Sequence, residues 1–406
     1  MTVQFEILLD ALKSSVFGKE YILNNDIDCD AVYKAAVSQG VFPLVYSVVS
    51  EKKQDKELRW EAHFLRTLAV NEKKQYYLQK VIENLRKENV ECVVLKGTSI
   101  AHFYNMPECR VSGDIDIYIN ADDEKAAMRV LENMGMTIKP RQKDNHHFEA
   151  RSENCGTIEV HTSLYSKEFS DIVLKNSFGI TEPFKALDTG MGFDINMLGT
   201  EDNLNFLTAH LIKHFVKEGC GIRQVTDLLA YVNFYKNEIN FEKYFATLSS
   251  IGFDKFIKNV FGIGNKYFSL ELPFAQTNLS DNIIDDIENG GNFGFGDEER
   301  KGFYHNFLRQ KSNSNKKEYE EMMAKKRKAS IIKSVFFPSR RILIKKGYSY
   351  LSKSIIYYPV AYLHRLFDVV NKLKNRKRNF SDIGYTEADN NVISGRIDLM
   401  KEMKIL

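Results

Sequence analysis

The sequence predicts an α+β fold in which one small mixed sheet is flanked by helical regions on both sides. Three observations predict it. Before residue 86 and after residue 165, apolar residues recur at spacings of three and four, the rhythm of amphipathic helices. Between those limits the pattern shortens to brief β-branched runs with a period of two, as strands require. The third is bulk: 406 residues, 43% hydrophobic, with 28 Phe and 20 Tyr, are enough for two or three packed units and too aromatic for a disordered chain.

Taken in order, residues 1–85 form the first helical region. DAVYKAAVSQGVFPLVYSVVS is punctuated by Gly40 and Pro43, and ELRWEAHFLRTLAVNEKKQYYLQKVIENLRKEN follows as a longer amphipathic run. Residues 86–165 are the α/β core. VECVVLKG is a short strand ending in Gly97, and TSIAHFYN returns to a helical rhythm. RVSGDIDIYIN is a second strand, and DDEKAAMRVLENMGM is a helix stopped by Gly135. MTIKPRQ, HHFEAR and GTIEVHTSLY complete the sheet. Residues 166–290 are expected to be helical, most clearly TEDNLNFLTAHLIKHFVKEG, capped by Thr200 and stopped by Gly219, and then GIRQVTDLLAYVNFYKN. Residues 291–330 read as a linker or arm, and 291–406 together as a basic, partly helical C-terminal region.

Charge is unevenly distributed. Residues 301–380 hold 21 Lys+Arg against 4 Asp+Glu, so a net charge of +3 conceals a body of −14. Such a basic region suits an anionic membrane surface, the protein's own acidic body, or nucleic acid, although no nucleic-acid module accompanies it. A peripheral membrane contact would fall on residues 331–378. The N-terminus reads as an amphipathic helix and not as a signal peptide, and no apolar run is long enough to span a bilayer. Five scattered cysteines without a CxxC pair fit a reducing compartment. The expected location is cytoplasmic.

The chemistry concentrates in LKGTSIAHFYNMPECRVSGDIDIYI. Ile115, Ile117 and Ile119 share one strand face, while Asp114 and Asp116 share the other and repel each other. A shared divalent cation removes that repulsion. Upstream, Gly97-Thr98 stands where a strand gives way to a helix, a junction whose free N–H groups bind anions. Downstream, Thr157, Glu159 and His161 alternate away from Ile158 and Val160, which makes Glu159 a third candidate carboxylate. His146-His147 precede a strand. Adjacent residues point to opposite faces, so at most one of the pair is expected at the cleft.

These residues resemble the nucleotidyltransferase superfamily of DNA polymerase β: a hydrophobic residue, Gly and a small hydroxyl residue, then Asp-x-Asp, and an acidic residue on a later strand. Lys96, Tyr104, Pro107, Arg110 and Asp114 are similar, position by position, to the wording of a bacterial family of uncharacterised nucleotidyltransferases. AHLIKHFVKEGCGIRQVTDLLAYV resembles that family's later helical motif through His210, Lys213, His214, Arg223 and Asp227. The resemblance spans roughly residues 30–235.

It implies a polymerase β palm-like core and transfer of a nucleoside monophosphate from an NTP to a hydroxyl acceptor, with release of pyrophosphate. Asp114, Asp116 and Glu159 would hold two Mg²⁺, with Glu159 as base. Gly97 and Thr98 would meet the phosphates, and Lys96 or Arg110 would neutralise developing charge. Lys213, His214 and Arg223 would reach in from the helical side. The plainer readings stand beside these: Lys96 as a solvated strand-end residue, Arg110 as an aspartate's partner, and Arg223–Asp227 as an i, i+4 surface pair. His210 and His214 either pack on the core or contact nucleotide; the Glu of HExxH and a cysteine pair, which zinc would favour, are missing. The acceptor (small molecule, protein or RNA) is left open, as is a non-catalytic member of the same fold used as a scaffold.

Overall fold

A computed structural model describes residues 1–20, 28–50, 58–139, 146–153, 156–190, 192–217, 219–290, 359–360 and 396–405. The chain divides into two units, residues 1–296 with 398–406, and residues 297–397. The expected linker at 291–330 and the basic, membrane-facing stretch at 331–378 lie outside the described residues, apart from 359–360. Among the described residues no helix is long and apolar enough to cross a membrane.

In the first unit, helices α1 (Val3–Phe17), α2 (Cys29–Ser38), α3 (Phe42–Val49) and α4 (Leu58–Lys87) come first. α1 buries Phe5, Leu8, Leu9, Leu12 and Val16 at helical spacing and stops at Gly18, whose left-handed backbone lets its N–H reach the Lys13 and Ser14 carbonyls. The core follows as β1 (Cys92–Val94), α5 (Thr98–Ala101), β2 (Ile115–Ile119), α6 (Glu124–Asn133), β3 (Thr137–Lys139), β4 (His147–Ser152) and β5 (Gly156–His161). These are the strands and helices expected from the sequence.

The sheet is nevertheless larger than expected. β6 (Lys185–Asp188) and β7 (Asp194–Met197) arise inside the segment read as helical and extend the sheet to seven strands, ordered β3-β4-β5-β2-β1-β7-β6. β2–β5 and β1–β7 are parallel and the remaining pairs antiparallel. The new strands read KALD and DINM, with no apolar, β-branched run to mark them. Their hairpin is marked only by Gly190 and Gly192, both at positive φ. Beyond it, α7 (Thr200–Lys217), α8 (Ile222–Tyr235), α9 (Phe241–Ile251), α10 (Asp254–Phe268) and α11 (Ser280–Gly290) are helical as expected.

Alternation sorts the side chains onto two buried faces. Ile115, Ile117, Ile119, Ile158, Val160 and Phe148 join Leu78, Val81 and Leu85 of α4 and Val130 and Leu131 of α6 in one core. Each such residue, fully buried, contributes on the order of 1.5–3 kcal/mol. On the opposite face Val93, Leu95, Leu164, Leu198 and Phe206 form a smaller cluster. Phe206 belongs to α7, so that helix covers the face that carries Asp116. The start of α7 is fixed by reciprocal capping. Glu182 accepts from the N–H groups of Glu201 and Asp202, while Asp202 accepts from the N–H groups of Thr181 and Glu182.

Candidate functional site

Strand register creates the site. β2 and β5 run parallel with Asp116 opposite Glu159 and Tyr118 opposite His161, and β4 sets His147 opposite His161. Polar groups from three adjacent strands therefore stand on one face, held there because the interleaved isoleucines and valines are locked in the core behind them. Asp116 is 2% exposed. Its Oδ1 lies 3.2 Å from Lys96 Nζ, at the end of β1, and 3.1 Å from His161 Nε2. His161 Nε2 also lies 3.6 Å from Glu159 Oε2, and His147 Nε2 is 3.9 Å from that oxygen. α7 closes the other side with Phe206, His210 and Lys213, leaving a cavity of about 50 Å³.

Charge follows from this packing. Burial pushes the Asp116 carboxyl up, but Lys96 and His161 together outweigh it and hold the group well below its ordinary range. The His161 hydrogen bond likewise keeps Glu159 below the usual value. Burial alone would lower Lys96 and His161, yet their carboxylate partners raise both. Asp114 goes the other way: burial and then the Asp116 charge push its carboxyl up. Lys213 has no carboxylate partner among the described residues, and burial with the nearby Lys96 charge brings its ammonium down to about 8. Desolvation also lowers His210.

The other predicted site residues take varied positions. Gly97 has φ +70°, and a Cβ there would stand 3.3 Å from Ser112 Oγ, in the loop before β2. Thr98 is buried and donates its hydroxyl to Gln75 Oε1 of α4 at 2.7 Å. Arg110 grips Asp227 of α8, which also accepts from the Tyr104 hydroxyl at 2.8 Å. Arg223 donates to the Val111 carbonyl at 3.2 Å, so it braces the loop before β2 and does not pair with Asp227 on its own helix. His214 packs edge-on against His210, with ring centroids 4.5 Å apart.

Two features go beyond the sequence expectation: His161 joins the site, and both His146 and His147 reach the cavity where at most one was expected. His161 was visible as the next residue on the Glu159 face, and its strand position was the available signal. His146 and His147 both line the cavity. Alternation does not separate them because β4 begins at His147, leaving His146 outside the pleat.

A family model described as "Uncharacterised nucleotidyltransferase" matches residues 25–269. Neither the curated proteins nor the solved structures include a significant match to the chain.

Proposed function

Because the chain belongs to the family of uncharacterised nucleotidyltransferases, we propose that it transfers a nucleoside monophosphate from an NTP to a hydroxyl acceptor, releasing pyrophosphate with the help of Mg²⁺. One observation carries the reading: Asp116 and Glu159 sit side by side, both held below their ordinary range, with Lys213, half-buried and without a carboxylate partner among the described residues, across the cavity from them.

The donor set fits a hard divalent cation. Mg²⁺ prefers a few carboxylate oxygens, with water and phosphate completing its sphere. Ligand atoms of Asp116, Glu159 and His161 all lie within 4.8 Å of one another. Asp114 does not join that group; burial first, and then the Asp116 and Glu159 charges, push its carboxyl up, and a divalent charge relieves the repulsive part. Asp116 and Glu159 would hold the ion, with Asp114 beside them. Bound there, Mg²⁺ supplies charge neutralisation and alignment for in-line displacement at phosphorus.

The remaining roles belong to the chain's own groups. Lys96, 3.2 Å from Asp116, helps to hold that carboxylate ionised. Lys213 offers an ammonium to a phosphate oxygen, which removes the cost of leaving a buried cation unpaired. Glu159, kept ionised by His161, accepts the proton of the incoming hydroxyl. Thr98 and Arg110 act through positioning: the first ties the Gly97 turn to α4, and the second ties the loop before β2 to α8.

Isothermal calorimetry with each NTP, with and without Mg²⁺, tests the reading. Wild type should bind at least one NTP in a Mg²⁺-dependent manner, and Asp116→Asn should lose that dependence. Identical responses from the two proteins would sink it. Mass spectrometry of products formed from labelled NTP in a cell extract then identifies the acceptor class.

A further inference from the structure

Beside the carboxylates lies a second donor set of different chemistry. One ring nitrogen from each of His146, His147 and His161 falls within 4.8 Å of the other two. The three rings meet at centroid distances of 5.0–5.1 Å. His146 comes from the residue before β4, His147 from the first position of β4 and His161 from the last position of β5, so the antiparallel register that pairs His147 with His161 assembles the set.

Packing alone does not account for the ring edges. The Nδ1 atoms of His147 and His161 are both buried and have no hydrogen-bond partner among the described residues. A buried polar group left unsatisfied is destabilising. The other nitrogen of each ring faces a carboxylate: His161 Nε2 is 3.1 Å from Asp116, and His147 Nε2 is 3.9 Å from Glu159. For His161, the Asp116 carboxylate that takes Nε2–H fixes the tautomer and leaves the Nδ1 lone pair free, which is how metal-binding imidazoles are oriented from behind.

From this geometry we infer that His146, His147 and His161 form a binding site for a borderline transition-metal ion of the Zn²⁺ or Co²⁺ class, adjoining the carboxylates that would hold Mg²⁺, with Asp116 orienting His161 from behind. Three imidazoles supply three of the four positions that Zn²⁺ favours, and nitrogen donors select such ions over Mg²⁺. The neutral ring is the form that ligates metal. The site goes beyond nucleotidyl transfer, and its readout needs no nucleotide.

The test uses the untagged full-length chain, stripped with EDTA and titrated with Co²⁺ while visible absorption is followed. One equivalent of Co²⁺ should give ligand-field bands that Zn²⁺ abolishes and excess Mg²⁺ leaves in place. His146→Asn/His147→Asn should weaken Co²⁺ binding by at least about tenfold, with circular dichroism confirming the fold. If the double variant does not fold, His146→Asn alone decides, since that half-buried residue lies outside the strand. Absence of the bands in wild type, their displacement by Mg²⁺, or their persistence at full affinity in the folded variant would each overturn the inference.

Discussion

Arg110 and Asp227, 117 residues apart, are joined by two buried hydrogen bonds, Nη2 to Oδ2 at 2.6 Å and Nε to Oδ1 at 3.1 Å. The pair links the loop before β2, and hence the start of the carboxylate strand, to α8. Planar fork-to-carboxylate geometry makes such a pair both strong and directional.

Removing the guanidinium should therefore be costly, because Asp227 would keep a buried, uncompensated charge. Arg110→Ala is expected to lower unfolding stability by about 3–5 kcal/mol, measured by urea denaturation. Arg110→Lys should recover only part of this, since an ammonium cannot reproduce the two-point contact. Tyr104→Phe, which removes one hydrogen bond to Asp227, should cost about 1 kcal/mol. A neutral Arg110→Ala would show that the contact does not form in solution.

Lys213 should oppose stability and serve binding. Its folded-state value of about 8 lies below the ordinary 10.5, so between those limits the unfolded chain holds more protons and stability rises with pH. Lys213→Met should flatten that rise and stabilise the ligand-free protein at neutral pH. The same variant should lose about 10–100-fold in NTP affinity, the worth of a hydrogen bond to a charged group. In wild type, NTP binding should weaken as pH passes about 8. A variant that is less stable and binds NTP normally would contradict both assignments.

Asp116 and His161 should give the metal-free protein opposite pH slopes at its two ends. Asp116 lies below its ordinary 3.8, so its contribution is complete above that value and is lost as pH falls. His161 lies above its ordinary 6.5, so its contribution is complete below 6.5 and is lost as pH rises through the folded value. Asp116→Asn in EDTA should reduce both slopes at once in a series of urea titrations. An unchanged profile would mean that the two groups do not interact.

Gly97→Ala should disturb the turn without touching the carboxylates. Its φ of +70° costs a side-chain-bearing residue roughly 1–2 kcal/mol, and the added Cβ would press on Ser112. The expected result is a lower melting temperature with reduced Mg²⁺–NTP binding. A fully wild-type variant would show that the backbone relaxes to negative φ.

By itself the sequence determined the order of helices and strands through the core, because apolar, β-branched runs such as VECVVL and IDIYI alternate there with helical rhythm and are punctuated by Gly97 and Gly135. It also singled out Asp114, Asp116 and Glu159, since alternation assigns a face to every residue of a strand. Three things waited for tertiary structure. β6 and β7 carry no apolar, β-branched run, and they join the sheet through the edge that β1 offers β7. The partner of Asp227 is Arg110 and not the nearer Arg223, because burial favours the two-point contact over the local one. His146, His147 and His161 meet only through the β4–β5 register, a pairing across strands that spacing along the chain does not encode.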